Sequence, residues 1–213
     1  MDLQNDQAGE PVNELAAMLD RGALVTDEME RAYFAQDYFN RGPLPEAVLQ
    51  PSGIEELSRV IGAATAKGLA VYPRGGGYSY TDGYLVTKPG ITIDMRSMNR
   101  VIEINAEDMY VTVEAGCTWA ELDAALAEHG LRTPFWGPMS GRNATVGGAA
   151  SQGAISFGSA RHGPSADSII GLTIVTVDGQ IIRTGSGGQA HHAPFFRNYG
   201  PDLTGLFCGD CGA

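Results

Sequence analysis

Between Ser52 and Gly68 the apolar residues Leu57, Val60, Ile61 and Ala64 recur at helical spacing, so one helix face is apolar and the other polar. Ser52 with Glu55 has the spacing of a capping box at its start, and Gly68 suits the residue that closes it. A short apolar run, Ala70 to Tyr72, follows as a buried strand and leads into Pro73-Arg-Gly-Gly-Gly-Tyr-Ser79. Ile91 to Asp94 reads as another strand. A helix, a strand and a glycine loop at the strand's C-terminal end make an α/β order with its site at a strand edge.

From residue 100 the period changes. Val101 to Ile104 and Tyr110 to Glu114 read as strands joined by an acidic turn. Thr118 with Glu121 repeats the capping box and opens a helix with Trp119, Leu122 and Leu126 inward, ended at Gly130. Ser168 to Val177 is a long β-branched run, and Asp178-Gly179 is the favoured two-residue hairpin turn into Gln180 to Arg183. Before residue 46, Asn13 can cap a short helix and Thr26 a second, from Asp27 to about Phe39, with Met29, Tyr33 and Phe34 at helical spacing. That aromatic stripe reads as packing. The expected class is therefore α+β: a helical extension over 1–45, an α/β subdomain over 46–100 and an antiparallel-sheet subdomain over 101–213.

Composition narrows the function. The 213 residues are 43% hydrophobic, yet no segment approaches the apolar run of about 20 residues that spans a membrane. The acidic N-terminus lacks the basic-then-apolar order of a secretory signal, so a cytoplasmic protein is expected. A net charge of −11 with no Lys/Arg cluster argues against a nucleic-acid partner. Cys208-Gly-Asp-Cys211 has CxxC spacing, but a zinc site wants two further ligands, and only Cys117, His191 and His192 offer themselves. No metal is expected.

Glycine is the outlier, 29 residues, or about twice ordinary usage. Three of them, Gly75 to Gly77, let main-chain N–H groups approach a ligand closely and suit an anion cradle for phosphate or diphosphate. Arg74 and the Ser79 hydroxyl add charge and a hydrogen-bond partner. Neither the Walker nor the Rossmann spacing is present. A second glycine cluster, Ala144 to Gly153, lies about seventy residues on, so two subdomains with one loop each suggest an extended ligand held between them.

These residues carry a resemblance. The order Pro45-Glu-Ala-Val-Leu-Gln-Pro51, Pro73 to Ser79, Val113-Glu-Ala-Gly116, Thr145-Val-Gly-Gly148, Arg161 to Gly171, Val175 to Gly179 and Gly200 to Phe207 resembles the FAD-binding domain of the vanillyl-alcohol oxidase and para-cresol methylhydroxylase superfamily, over about residues 44–213. The resemblance implies that FAD is held by Pro73, Arg74, Gly75, Gly76, Gly77, Tyr78 and Ser79 at its diphosphate. It implies further contacts from Pro138, Ser140, Thr145, Val146, Gly147, Gly148, Ala150, Ser151 and Gly158. His162 and Gly163 would approach the flavin, and Ile169 and Ile170 would hold the adenine end through backbone groups while also serving as strand core. Relatives that link the flavin covalently carry His where this chain has Tyr78, and no Cys lies between Pro138 and Gly148, so FAD is expected to be non-covalent.

The implied function is the FAD-binding subunit or fragment of an oxidoreductase acting on an alcohol, hydroxy acid or phenolic small molecule. The substrate domain, with the general base, would come from another segment or chain in an oligomer. Within these residues His162, Tyr78 and Asp167 are the fallback bases. Two other readings are a non-catalytic flavin or electron-transfer module of a larger complex and a sugar- or nucleotide-binding module. Flavin absorbance on purification eliminates the last.

Overall fold

A computed structural model describes residues 9–134, 140–189, 195–198 and 200–211. The chain divides into two compact units, Met1–Ser97 with Val175–Ile181, and Met98–Ile174 with Ile182–Ala213.

The first unit is built on a four-stranded sheet ordered β1 (Ala23–Val25), β2 (Val48–Gln50), β4 (Gly90–Asp94), β3 (Ala70–Arg74). β2, β4 and β3 run parallel, and β1 joins β2 antiparallel at one edge. All five residues of β4 are buried, as a central parallel strand covered on both faces requires. Gly90 is needed there: a Cβ would stand 2.2 Å from the Ala70 carbonyl oxygen on β3. Helix α3 (Ile54–Ala66) lays Leu57, Val60 and Ala64 into the core, while Ile61 is only half-buried. Val12 and Leu15 of α1 (Glu10–Ala16) and Phe34 of α2 (Glu28–Phe34) are buried in the same unit.

The end of α3 follows the pattern. Gly68 has φ +76°, the Gly68 N–H donates to Thr65 O and the Leu69 N–H to Ala64 O, the paired bonds of a Schellman cap. Its start corrects the expected Ser52–Glu55 box. Gly53 is the N-cap, and Glu56 rather than Glu55 reaches back, accepting from the Ser52 N–H at 2.9 Å and the Ser52 hydroxyl at 3.0 Å. Glu56 wins because it lies on the buried face, where the backbone N–H groups of Asp20 (3.2 Å) and Arg21 (2.9 Å) also need an acceptor. The two earlier caps also differ. Asn13 sits inside α1, which Gly9 caps with Pro11 in its first turn, where a missing N–H costs nothing. Asp27, not Thr26, caps α2 by accepting from the Glu30 N–H, and that helix stops at Phe34.

The second unit is α+β. β5 (Val101–Asn105) and β6 (Tyr110–Val113) form an antiparallel hairpin with a bulge between Val101 and Glu103. Helix α4 (Trp119–Ala127) has the expected capping box, with both the Thr118 and Glu121 side chains bonded. Trp119, Leu122 and Leu126 pack with Cys117, Ala144 and Ala149, and Val101, Ile104, Val111 and Val113 of the hairpin cover that cluster. Short helices α5 (Val146–Ser151) and α6 (Ser159–His162) follow, and α7 (Leu203–Leu206) comes near the end.

The expected strand from Ser168 to Val177 is much shorter. Ser165–Ser168 is a 3-10 turn closed by the Ile169 N–H on Ala166 O, and only β7 (Thr173–Val175) is extended and paired, with β8 (Ile181–Arg183). The Leu172 N–H goes to the Thr184 hydroxyl at 2.8 Å rather than into a regular ladder. The hairpin loop also has three residues, not two. The Thr176 N–H donates to Gln180 O across it, and Gly179 takes φ +81° after the turn. This tip, Val175–Ile181, belongs to the first unit, where the Ser58 hydroxyl donates to Gly179 O at 2.5 Å and the Thr65 hydroxyl to Val177 O.

Candidate functional site

β3 and β4 both run out at one end of the sheet, with Arg74 in register opposite Asp94. The glycine loop leaves the sheet there, at the C-terminal ends of parallel strands, where open α/β sheets take ligands. Pro73 is exposed, and Gly75, Gly76, Gly77, Tyr78 and Ser79 are half-buried. The left-handed conformation falls on one glycine of the three: Gly77 has φ +77°, and a Cβ on it would lie 2.2 Å from Arg74 Nη2. The Ser79 hydroxyl is bonded to the Thr81 hydroxyl at 2.9 Å, and Ser79 O accepts from the Tyr38 N–H at 3.4 Å.

Arg74 does not extend into solvent above the loop. It is 3% exposed, with its guanidinium over the rings of Tyr33 (4.7 Å), Phe34 (5.0 Å) and Tyr84 (5.3 Å). Its Nε and Nη1 are buried and make no hydrogen bond. The neighbouring carboxylate is spent elsewhere. Asp94 accepts from Arg96 Nε at 2.9 Å, Arg96 Nη2 at 2.7 Å, the Arg96 N–H at 3.1 Å and Gln50 Nε2 at 2.9 Å. Burial alone would raise the Asp94 carboxyl, but the bonds and charge of Arg96 outweigh it and hold it below the usual range. The Tyr84 hydroxyl is also buried, near the guanidinium but without hydrogen-bond geometry. Burial pushes it up to about 12 against the pull of the Arg74 charge.

Spacing did not reveal this cage. Its rings come from α2 and from residue 84, and the stripe of Tyr33 and Phe34 read only as packing. Beside the loop, Tyr38, Phe39 and Tyr80 form an exposed aromatic trio with centroids 5.1 to 6.1 Å apart, also unsignalled by the motif.

In the second unit, Thr145 is 2% exposed and caps α5, its hydroxyl accepting from the Gly148 N–H at 3.2 Å. The Val146 N–H donates to Cys117 O and the Gly147 N–H to Ala115 O. The first N–H groups of this helix are thus satisfied within the chain. Gly147 is required by packing, because a Cβ would stand 2.7 Å from Ala115 Cβ. Ala150 is buried, and the Ser151 hydroxyl donates to Asp210 at 2.7 Å. Ser140 O accepts from the Asn143 and Ala144 N–H groups. Gly158 (φ +103°) and Gly163 (φ +80°) bracket α6, leaving His162 exposed. Ile169 and Ile170 are half-buried and precede β7, so they are not strand core. Pro138, His191 and His192 lie outside the described residues.

Cys117 is buried, which pushes its thiol up to about 11, and Cys208 is half-buried and raised for the same reason. Neither is a nucleophile at neutral pH. Among the described residues no group of three or more His, Cys, Asp or Glu could hold a metal ion, and no helix is long and apolar enough to cross a membrane.

The fold is that of the PCMH-type FAD-binding domains. The structure of p-cresol methylhydroxylase superposes with a TM-score of 0.76 at 21% identity, covering 93% of this chain and 40% of that one. The sequence then places the chain: it belongs to the FAD binding domain family, whose model matches residues 45–185, and FAD is its cofactor. Among curated proteins, the mitochondrial D-lactate dehydrogenase [cytochrome] of Arabidopsis thaliana is 32% identical over 206 residues, 95% of this chain and 35% of that protein. The glycolate oxidase subunit GlcD of Bacillus subtilis is 31% identical over 169 residues, 79% of this chain and 34% of that protein. The chain therefore spans about a third of the length of these relatives.

Proposed function

We propose that this chain is the FAD-binding part of a flavin-dependent dehydrogenase or oxidase that oxidises a 2-hydroxy acid. The observation that carries the reading is the family match over 45–185, with a glycine loop at the C-terminal edge of a parallel sheet inside it. Two relatives named for lactate and glycolate support the substrate class, since both are 2-hydroxy acids. FAD, when bound, supplies the hydride-accepting ring that the protein itself lacks.

The first unit fits the diphosphate of that group. Gly77 holds a backbone conformation and a close approach that a side chain would spoil, and Arg74 brings a buried cation with unused N–H groups beneath it. We assign Gly75 to Ser79 to the diphosphate, Ser140, Thr145 to Gly148, Ala150, Ser151, Gly158, His162 and Gly163 to the remainder of the cofactor, and Ile169 and Ile170 to its adenine end. Tyr78, in place of a linking histidine, leaves attachment to non-covalent contacts. The substrate-binding part, with the general base, belongs to further polypeptide, a reading supported by relatives about three times as long.

The test is anaerobic reduction. The FAD-loaded chain, alone and together with the polypeptide encoded beside it, is mixed with D-lactate, glycolate and other 2-hydroxy acids while flavin absorbance is followed. The expected result is saturable bleaching only when the additional polypeptide is present. Saturable bleaching by the chain alone would place a complete active site here and turn attention to His162, Tyr78 and Asp167. A combination that reacts only with phenols would overturn the substrate class.

A further inference from the structure

We propose that helix α2 is part of the cofactor site although it lies outside the matched segment 45–185. Tyr33 and Phe34 hold Arg74 as a buried cation without a counter-ion beneath the glycine loop, so that the bound diphosphate supplies the missing negative charge. This inference rests on the assignment of that loop to the FAD diphosphate.

A guanidinium that is 3% exposed has lost nearly all its hydration. Such a charge is normally matched by a carboxylate with further hydrogen bonds around it. Among the described residues Arg74 forms no ion pair, and two of its nitrogens are buried without an acceptor. The candidate anions nearby are committed. Asp94 serves Arg96 and Gln50, and the Asp37 carboxylate accepts from the N–H groups of Phe39, Asn40 and Asp82. Tyr84 stays neutral across the physiological range, because burial pushes it up to about 12. What does face the cation is the electron-rich surface of three rings, which stabilises a desolvated guanidinium without neutralising it.

The geometry links that charge to the loop. Arg74 Nη2 and Cζ fill the space where a Cβ of Gly77 would be, 2.2 and 2.5 Å from it. The cation is thus pressed against the turn whose N–H groups form the proposed cradle. The Arg96 guanidinium lies over the same two rings, Tyr33 (5.8 Å) and Phe34 (5.6 Å), but it is paired with Asp94, so the uncompensated charge here is that of Arg74. A diphosphate arriving at this edge meets a fixed, partly dehydrated positive charge that needs no reorganisation. In this account Tyr33 and Phe34 act through Arg74 and are positioning residues.

A sign distinguishes this role from plain packing. Arg74→Met keeps an unbranched apolar stem of suitable length but removes the charge. The cofactor-free chain is expected to melt no lower than the wild type, because an uncompensated buried charge has gone, while the FAD Kd rises at least tenfold. Tyr33→Leu, at a ring that is 47% exposed, should raise the FAD Kd in the same direction by a smaller factor with the cofactor-free midpoint unchanged. The measurements are thermal melting without cofactor and FAD titration by flavin fluorescence, all on the full 213-residue chain. A cofactor-free Arg74→Met that melts several degrees lower, or does not fold, would identify the guanidinium as packing and overturn the proposal. An FAD Kd within twofold of wild type would do the same. Gly77→Val separates this failure from that of the loop assignment. If Gly77→Val loses FAD while Arg74→Met retains it, the loop stands and the charge role falls. If both retain FAD, the loop assignment itself is wrong.

Discussion

Gly77→Val is expected to lose FAD binding by two orders of magnitude or more while the far-ultraviolet circular dichroism stays close to that of the wild type. Two independent effects act together. At φ +77° a β-branched residue is strained, and holding it there costs about 1–3 kcal/mol. Its Cβ would also lie 2.2 Å from Arg74 Nη2, so the arginine must leave its cage or the loop must open. Either outcome disorders the cradle, whereas the sheet beneath is held by β4 and by the buried face of α3, which the substitution does not touch. Flavin titration with the circular dichroism spectrum as control reads both parts. Full occupancy in the variant would show that the cofactor is bound elsewhere.

Glu56→Ala is expected to destabilise the chain by about 2–4 kcal/mol in chemical denaturation. One carboxylate accepts from the N–H groups of Asp20, Arg21 and Ser52 and from the Ser52 hydroxyl, so its removal strands four donors at once. It also releases the turn between α1 and β1 from the start of α3. The figure stays moderate because the bonds are only part-buried, and water can enter the space the side chain leaves to reach some of the stranded donors.

The pH dependence has a definite sign. Burial alone would raise the Glu56 carboxyl, but the bonds from Ser52 and Arg21 outweigh it and hold it below its ordinary value. A folded value below the unfolded one makes the contribution fully present above the ordinary glutamate range and lost as pH falls through the folded value. The wild type should therefore lose stability on acidification more steeply than Glu56→Ala. Parallel acid titrations of the two would contradict the assigned network.

Much of the local architecture was legible because it is written in short-range periodicity. The apolar face of α3, the Gly68 cap, the Thr118–Glu121 box, the Trp119-Leu122-Leu126 face of α4 and the β5–β6 hairpin all follow from residues within one or two turns of each other. Where choices depended on distant partners, local pattern fell short. Glu55 and Glu56 are equivalent by composition, and the incoming Asp20–Arg21 turn selects Glu56. The β-branched run after Ser168 has strand composition, yet Thr184 takes the Leu172 N–H and the ladder is confined to Thr173–Val175. β1, three residues long, is too short to show a period.

The candidate site divides in the same way. The glycine loop and its position after a strand were visible as a motif, and the family resemblance rested on residues that could be read in order. The surroundings of Arg74 were not. They join residues 33, 34, 74 and 84, far apart along the chain, and nothing in the motif says that its arginine turns inward beneath the loop. The glycines of the second cluster were legible as glycines, but Gly147 is explained by its packing on Ala115.

We propose that this chain holds one FAD, non-covalently, at the glycine loop after β3. Its most direct test is to load the chain with flavin, precipitate it with acid and identify the flavin on each side of the separation. The expected result is one FAD per chain, released entirely into the supernatant, and none in a Gly77→Val preparation treated in parallel. Flavin that stays with the precipitated polypeptide, release of FMN instead of FAD, or an undiminished FAD content in Gly77→Val would contradict it.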